Sequence, residues 1–469
     1  MTATKGIAVA SEESDLPEGW AKIELEQISA QIQYGYTASA LKDQAGPRFL
    51  RITDIQNGKV DWNSVPTCEI SRDDLRKYAL RQSDVLFART GATTGKSFLI
   101  ASCPHDAVFA SYLIRLRLQK SIDAAFVSLF FNTPEYWQFI SENVAGIAQP
   151  NCNATKLGCL LVPIPPLLEQ KRIVEKVERL LARVNVAKER LARVSAILKR
   201  FRQVVLAAVI LGEETPLGDV LADVKYGTAK RCEPNIQGTP VLRIPNLVNG
   251  YIDHSELKYA ELDQREESSL RLNRGDILLI RSNGSVDLLG KSAVVSEKEI
   301  GYAYAGYLIR LRVDPHKADP QYLQLALNTQ DCRDQIEMPA RSTSGVHNIN
   351  SQEVRQLRIL LPPIGQQREI VRRVGTLFKL ADAIEKRLAT ATARAEKLTQ
   401  AILAKAFRGE LVPTEAELAR REGRSYEPAS ALLARIRCDR DQSKNFSTKA
   451  VHEEHGRWHK RTAKRTGGR

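Results

Sequence analysis

Apolar residues recur at alternating steps of four and three from Ile173 through Val177, Leu180, Val184, Ala187, Leu191, Val194, Leu198, Phe201 and Val205 to Ala208. A period of about 3.5 residues held this long predicts a helix that carries a coiled-coil seam. The spacing returns at Ile370, Val374, Leu377, Ala381, Ile384, Leu388, Ala391, Ala395, Leu398 and Ile402, and Lys405 breaks it. Each stretch follows paired prolines, Pro165–Pro166 or Pro362–Pro363, whose fixed φ suits a helix start. Each ends near a glycine, Gly212 or Gly409, where a left-handed cap is expected. At about 45 residues and 1.5 Å per residue, each helix spans roughly 65 Å. Two such helices in one chain are expected to pack on each other antiparallel, which places the blocks that precede them at opposite ends of a rod.

Those blocks show a different pattern. Runs rich in Leu, Ile and Val predict strands at Arg48–Ile55, Val85–Arg89, Leu113–Leu118, Val241–Ile244, Asp276–Arg281 and Leu308–Val313. Residues 121–144 and 319–337 read as helical, and Asn57-Gly58 and Asn249-Gly250 signal hairpin turns. The blocks are also copies. Residues 47–62 (PRFLRITDIQNGKVDW) return as 239–254 (TPVLRIPNLVNGYIDH), 111–118 (SYLIRLRL) as 306–313 (GYLIRLRV), and 165–174 (PPLLEQKRIV) as 362–371 (PPIGQQREIV). The fold class is therefore mixed α/β: two repeated α/β domains separated by two long helices that form an intramolecular antiparallel coiled coil. The divisions fall at 1–165, 166–212, 213–361, 362–412 and a basic tail, 413–469, which opens with a helix and ends in a disordered KRTAKRTGGR.

Charge sharpens this picture. The chain carries a net charge of +14, which points to an acidic partner such as nucleic acid. The surplus is uneven: residues 166–212 and 363–409 sum to +7 and +6, whereas residues 1–165 and 213–362 sum to −1 and −3. If the large blocks touch DNA, they do so through local loops. The longest apolar run, Val204 to Leu211, is too short to span a bilayer, and the N-terminus has no hydrophobic signal core, so a cytoplasmic protein with no membrane contact is expected. Seven scattered cysteines without a CxxC pair read as free thiols. His452, His455 and His459 read as part of a solvated basic tail rather than a metal site.

Candidate chemistry is sparse. Gly91-Ala-Thr-Thr-Gly95-Lys96-Ser97 resembles a phosphate-binding P-loop but has three residues between its glycines where that motif has four. A polar loop after a strand suits contact with phosphates or base edges instead. That reading singles out Thr90, Thr93, Thr94 and Lys96 in the first copy and Ser282, Asn283, Ser285 and Lys291 in the second. Arg89 and Arg281 occupy matching strand ends, where they either meet DNA or hold a carboxylate inside the fold. Their presence in both copies favours the second role. Loops that differ between copies are better specificity candidates: Tyr36, Thr37 and Lys42 against Lys230 and Arg231. Gln149, Asn151 and Asn153 form a further polar cluster, matched by His347, Asn348 and Asn350. No Asn/Asp-Pro-Pro-aromatic motif for amino methylation, dinucleotide fingerprint or repeated Ser–His–Asp order is present, so the chain is expected not to be an enzyme. An ATPase using Gly91–Ser97 and a coiled-coil adaptor without DNA are the other readings.

The Leu16-Pro-Glu-Gly-Trp20 opening, the Gly91–Lys96 loop, the duplicated PPLLEQKRIV helix start and the Lys405-Ala-Phe-Arg-Gly-Glu-Leu411 end together resemble the specificity subunit of type I restriction-modification enzymes. The second copy departs from the first in having Gly365-Gln366 for Leu168-Glu169 and in lacking the LPEGW opening. The resemblance implies two target-recognition domains, each reading half of a bipartite site in double-stranded DNA, with the helices as spacer. It implies assembly with two methyltransferase subunits that bind S-adenosylmethionine and modify adenine, and with restriction subunits that use ATP and magnesium, no cofactor being bound by this chain. A specificity subunit serving a methyltransferase with a different restriction partner is the alternative within the family.

Overall fold

A computed structural model of the chain describes residues 16–440 apart from 43, 57, 144–151, 249 and 342–346. The described residues form two compact units: those up to Lys188 together with those from Ala393 onward, and Glu189–Thr392. The divisions follow the repeat, except that each long helix is shared between units.

In the first unit, strands Ser29–Tyr34, Leu113–Leu118, Val85–Ala88 and Ser97–Leu99 lie side by side in that order, all antiparallel. The second unit repeats the sheet with Leu221–Tyr226, Leu308–Val313, Ile277–Ile280 and Ser292–Val294. Even the irregularity is duplicated, since register shifts occur at Ser29/Gln31 and again at Leu221/Asp223. Val85–Ala88 and Ile277–Ile280 are apolar throughout because both faces are covered. Successive strand side chains point to opposite faces. Val85 and Phe87 therefore enter one core, with the helices behind the sheet, and Leu86 enters another. Ile277 and Leu279 are separated from Leu278 and Ile280 in the same way.

Two expected strands are shorter than their hydrophobicity suggests. Arg48–Ile55 is broken by a 3-10 turn at Ile52–Asp54, because the Asp54 carboxylate accepts the Arg51 backbone N–H at 2.8 Å and its guanidinium at 2.7 and 3.1 Å. Asn246 does the same for the Arg243 N–H at 2.9 Å. The repeated LRITD and LRIPN thus encode a turn. Each is followed by the expected hairpin, Ile55–Gln56 on Lys59–Val60 and Leu247–Val248 on Tyr251–Ile252. The two helical stretches are each a pair of helices: Ala124–Phe130 and Pro134–Asn143, then Pro320–Leu327 and Gln330–Arg341.

The long helices run Leu167–Val209 and Ile364–Phe407. Their starts are tied to the preceding domain by a buried glutamine. Gln170 accepts the Asp123 N–H at 2.9 Å and donates to the Pro165 carbonyl at 2.9 Å; Gln367 does the same to Asp319 and Pro362, each at 2.8 Å. In the first unit Ile173, Val177 and Val184 share a core with Ile402, Leu403 and Ala406, and Lys188 donates to Thr399 at 3.5 Å. In the second, Leu206 and Ile210 share a core with Val374, and Arg202 pairs with Asp382 at 2.6 Å and Glu385 at 3.0 Å. As the first helix advances its partner recedes, so the helices pair antiparallel. The seam is less continuous than the heptads predict. Ala187, Val194, Leu377, Ile384 and Leu398 are exposed. A helix of 3.6 residues per turn drifts off a strict heptad stripe, and beyond Leu198 burial moves to Leu206 and Ile210.

The glycines after the helices serve different ends. Gly409, at φ +73°, is left-handed as expected. Gly212, at φ +149°, is not; a Cβ there would lie 2.6 Å from the Leu361 carbonyl carbon and the Pro362 nitrogen.

The segment after Pro413 is more than a tail. Its described part belongs to the first unit, with Ala429, Leu432, Leu433 and Ile436 in the core that holds Trp20. The disordered end expected at KRTAKRTGGR and the three tail histidines lie outside the described residues. Glu415, buried, pairs with Arg172 at 2.6 Å and Arg424 at 2.7 Å. Burial alone would raise its carboxyl, but the two guanidiniums outweigh it and hold it below the ordinary range. Glu169, also buried, accepts Trp20 Nε1 at 2.8 Å and the Glu415 N–H at 2.7 Å, yet burial pushes its carboxyl up. Its counterpart Gln366 is exposed, so this substitution marks a contact that the second unit does not make.

Candidate nucleic-acid interface

Arg89 and Arg281 do not hold carboxylates. Among the described residues neither forms an ion pair with Asp or Glu. Each guanidinium instead stacks on a tyrosine: Arg89 lies 4.7 Å from the Tyr34 ring centroid and Arg281 lies 4.6 Å from that of Tyr226. Arg281 also donates to the Gly306 carbonyl at 3.3 Å. The carboxylate-holding arginines are elsewhere in the repeat. Arg117 clamps Asp84 through Nε at 2.7 Å and Nη2 at 2.6 Å, and Arg312 clamps Asp276 at 2.8 and 2.7 Å. The LIRLR repeat explains this: its second arginine reaches a buried aspartate. Its first, Arg115 or Arg310, lies inside the fold, where Arg310 meets Asp223 but Arg115 meets the Phe109 ring and carbonyl oxygens, including those of Gln31 and Gln33. Burial, with Arg117 nearby, brings the Arg115 guanidinium down to about 10.

The tyrosines under Arg89 and Arg281 are fixed in the same manner. Tyr34 Oη accepts the Ala154 N–H at 2.9 Å, and Tyr226 Oη accepts the Ser351 N–H at 2.8 Å. Both amides open short helices, Ala154–Gly158 and Ser351–Gln356, capped by Asn153 and Asn350. Those two asparagines are therefore caps rather than free polar groups.

The loop at Gly91–Ser97 is not a P-loop. Its Thr94, Gly95 and Lys96 amides donate to the carbonyls of Gly91, Ala88 and Thr93 at 3.0, 2.8 and 2.9 Å. The loop leads into the strand Ser97–Leu99 rather than a helix N-terminus. A phosphate cradle needs its amides open and a helix dipole behind them, and this loop has neither.

The other candidates divide by environment. Thr37, Lys42, Lys96, Ser285, Lys291 and Asn348 are exposed, and Thr90, Thr93 and His347 are half-buried. Thr94 donates to the Gly91 carbonyl at 2.7 Å. Tyr36 packs at 5.3 Å on Tyr78 and belongs to a small core. Lys230 is engaged by Glu266 at 2.6 Å and Arg231 by Glu233 at 3.3 Å. Ser282 is buried and pairs with Asn348, as Asn283 does with His347, in a short ladder that joins two of the predicted loops. Asn283 also accepts the Ser285 N–H at 2.8 Å. Gln149 and Asn151 lie outside the described residues. Sequence reasoning did not single out Tyr34 and Tyr226, the tyrosines on which Arg89 and Arg281 stack. Their signal was present, since a tyrosine followed by glycine stands at both matching positions.

Among the described residues no cluster of three or more His, Cys, Asp or Glu side chains is placed to hold a metal ion. No helix among them is long and apolar enough to cross a membrane. Cys68, Cys103, Cys152, Cys159, Cys232 and Cys332 are free thiols.

Comparison with known proteins agrees with the duplicated architecture. The family model described as the type I restriction modification DNA specificity domain matches twice, over residues 17–196 and 213–392. The chain is 31% identical over 465 residues to the EcoKI specificity subunit of Escherichia coli (strain K12), covering 91% of this chain and 97% of that one. It is 32% identical over 460 residues to the StySPI specificity subunit of Salmonella potsdam, covering 91% and 96%. A chain from a structural study of complex assembly and conformational transition in a type I R-M system superposes with a TM-score of 0.62 at 21% identity, covering 84% of this chain and 99% of that one. With two matched domains, a duplicated sheet and an antiparallel helix pair, the chain belongs to the specificity subunits of type I restriction-modification systems.

Proposed function

We propose that residues 1–165 and 213–361 are the two target-recognition domains, each reading one half of a bipartite site in double-stranded DNA. As a specificity subunit the chain is the sequence-specific DNA-binding component of its complex and not the catalyst. One observation carries the assignment of readers: the same sheet edge is built twice, and the loops around it differ. Thr90–Lys96 connects strands of the first unit where Ser282–Lys291, longer by three residues, connects those of the second. A common scaffold with unlike loops suits two unlike half-sites. The DNA-facing set comprises Thr37, Lys42, Thr90, Thr93 and Lys96 in one domain and Asn283, Ser285, Lys291, His347 and Asn348 in the other.

In this reading the helices act as spacer, and two methyltransferase subunits that carry S-adenosylmethionine dock on the chain. Ile197 and Val204, exposed seven residues apart on the first long helix, offer them an apolar stripe. ATP and magnesium belong to restriction subunits, and the whole acts in the cytoplasm. Sequencing of the host methylome with and without this gene tests the function. A bipartite adenine-methylated motif must vanish with the gene, and an unchanged methylome refutes the reading. The spacer role has its own test. Seven residues added to a helix are about 10 Å, up to three base pairs at 3.4 Å each. A lengthened variant that methylates the same gap contradicts it.

A further inference from the structure

The two units share more than a fold at one edge of the sheet. The strand Val85–Ala88 ends at Arg89, whose backbone N–H donates to the Tyr112 carbonyl at 3.0 Å; Arg281 donates likewise to Tyr307 at 2.9 Å. Tyr112 and Tyr307 sit in matching turns, closed by Leu113 N–H to Ala110 O and Leu308 N–H to Ala305 O, both at 2.9 Å. Their side chains are 65% and 63% exposed. Beside each lies the stacked pair, Arg89 on Tyr34 and Arg281 on Tyr226. Each edge therefore presents one arginine and two tyrosines, identical in type and position, in domains whose flanking loops are unlike.

Part of their hydrogen-bonding capacity is left for a ligand, although one Arg281 terminal amino group already donates to the Gly306 carbonyl. The Arg89 and Arg281 Nε atoms are buried and unpartnered, so these side chains can offer a ligand only their terminal amino groups. Stacking on tyrosine fixes the guanidinium plane without consuming its donors. Tyr34 and Tyr226 accept a backbone N–H, which leaves the hydroxyl hydrogen of each to donate. Three donors with no carboxylate among them describe a site for an oxyanion.

We propose that each edge grips one phosphodiester of the DNA backbone, Arg89 with Tyr34 and Tyr112 in one domain and Arg281 with Tyr226 and Tyr307 in the other. The edge sets register while the unlike loops read bases. This inference rests on the DNA-reading function above. Its physical ground is that identical side chains in identical places cannot tell two different half-sites apart, whereas the phosphate is the same in every sequence. It reverses the structural role that duplication suggests from sequence alone.

The test uses the full-length chain with two duplexes, one carrying the motif recovered from the methylome and one with both halves scrambled, titrated across a salt series. Arg89→Ala is expected to weaken both duplexes by a similar factor, about tenfold, and to lower the salt slope by about one. Tyr112→Phe removes only an exposed hydroxyl, so it leaves folding intact. It should weaken both by about threefold to fivefold without changing their ratio. Arg89→Lys, with melting temperature as a folding control, should retain the salt slope and lose part of the affinity. The inference is overturned if Tyr112→Phe changes nothing, or if Arg89→Ala weakens the motif duplex alone, which would make the edge a reader of a base pair common to both halves. A wild-type chain that does not prefer its motif duplex fails the functional reading itself, a result separable from either.

Discussion

Gly35 comes directly after Tyr34, and a Cβ built on it would lie 2.2 Å from the Ala110 oxygen and 2.5 Å from the Ala110 carbon and the Phe109 oxygen. Those are backbone atoms of the turn that carries Tyr112, so no side chain can swing aside. Gly35→Ala must part the two segments by more than an ångström. Two hydrogen bonds cross this gap, Gly35 N–H to Leu113 O at 3.1 Å and Tyr36 N–H to Phe109 O at 2.8 Å. Losing both, with their groups left partly buried, costs about 2–4 kcal/mol, which lowers the melting temperature of a unit this size by roughly 5–15 °C. Gly227 repeats the situation, 2.3 Å from the Ala305 and Tyr304 oxygens, and Gly227→Ala should behave alike. Gly375 supplies the opposite control. It lies inside the second long helix with no atom within 4 Å of a built Cβ, so Gly375→Ala should stabilise by about 0.5–1 kcal/mol. Scanning calorimetry of the full chain reads all three. A Gly35→Ala protein that melts with the wild type would refute the argument that close backbone approach shapes this edge.

Other consequences are open to measurement. Asp276→Ala strands Arg312 and leaves the Asn273 N–H, now bonded at 2.8 Å, without its acceptor; urea unfolding should show a loss of about 3–5 kcal/mol, and a change below about 1 kcal/mol would mean that the clamp contributes little. Glu415 is held below its ordinary value, so its contribution is complete above the unfolded-state pKa, about 4.5, and is lost as pH falls through the lower folded value. Wild type should therefore exceed Glu415→Gln by a constant margin near neutral pH, and the margin should shrink under acid. A margin that widens on acidification would contradict the assigned direction. Gln170→Ala removes partners from the Asp123 N–H and the Pro165 carbonyl, both buried by the helix start, and should destabilise by about 2–4 kcal/mol. A variant as stable as the wild type would show that water replaces the amide.

The sequence by itself determined the plan of the molecule. Repetition at a nearly constant offset does not depend on knowing the fold, and a heptad pattern is local, so two α/β domains and two long helices were legible from residue type alone. Leu113–Leu118 and Leu308–Val313 were found to the residue because β-branched and Leu-rich runs bounded by turns have few other uses. What only tertiary structure decided is where the arginines point. Arg89, Arg115 and Arg117 differ little in local context, yet one stacks on Tyr34, one is buried among carbonyl oxygens and one clamps Asp84. Each outcome is set by a partner tens of residues away along the chain, brought near by sheet register, and register leaves no trace in composition. The clasp of Trp20, Glu169 and Glu415 was hidden for the same reason, since it joins three segments whose proximity exists only after folding.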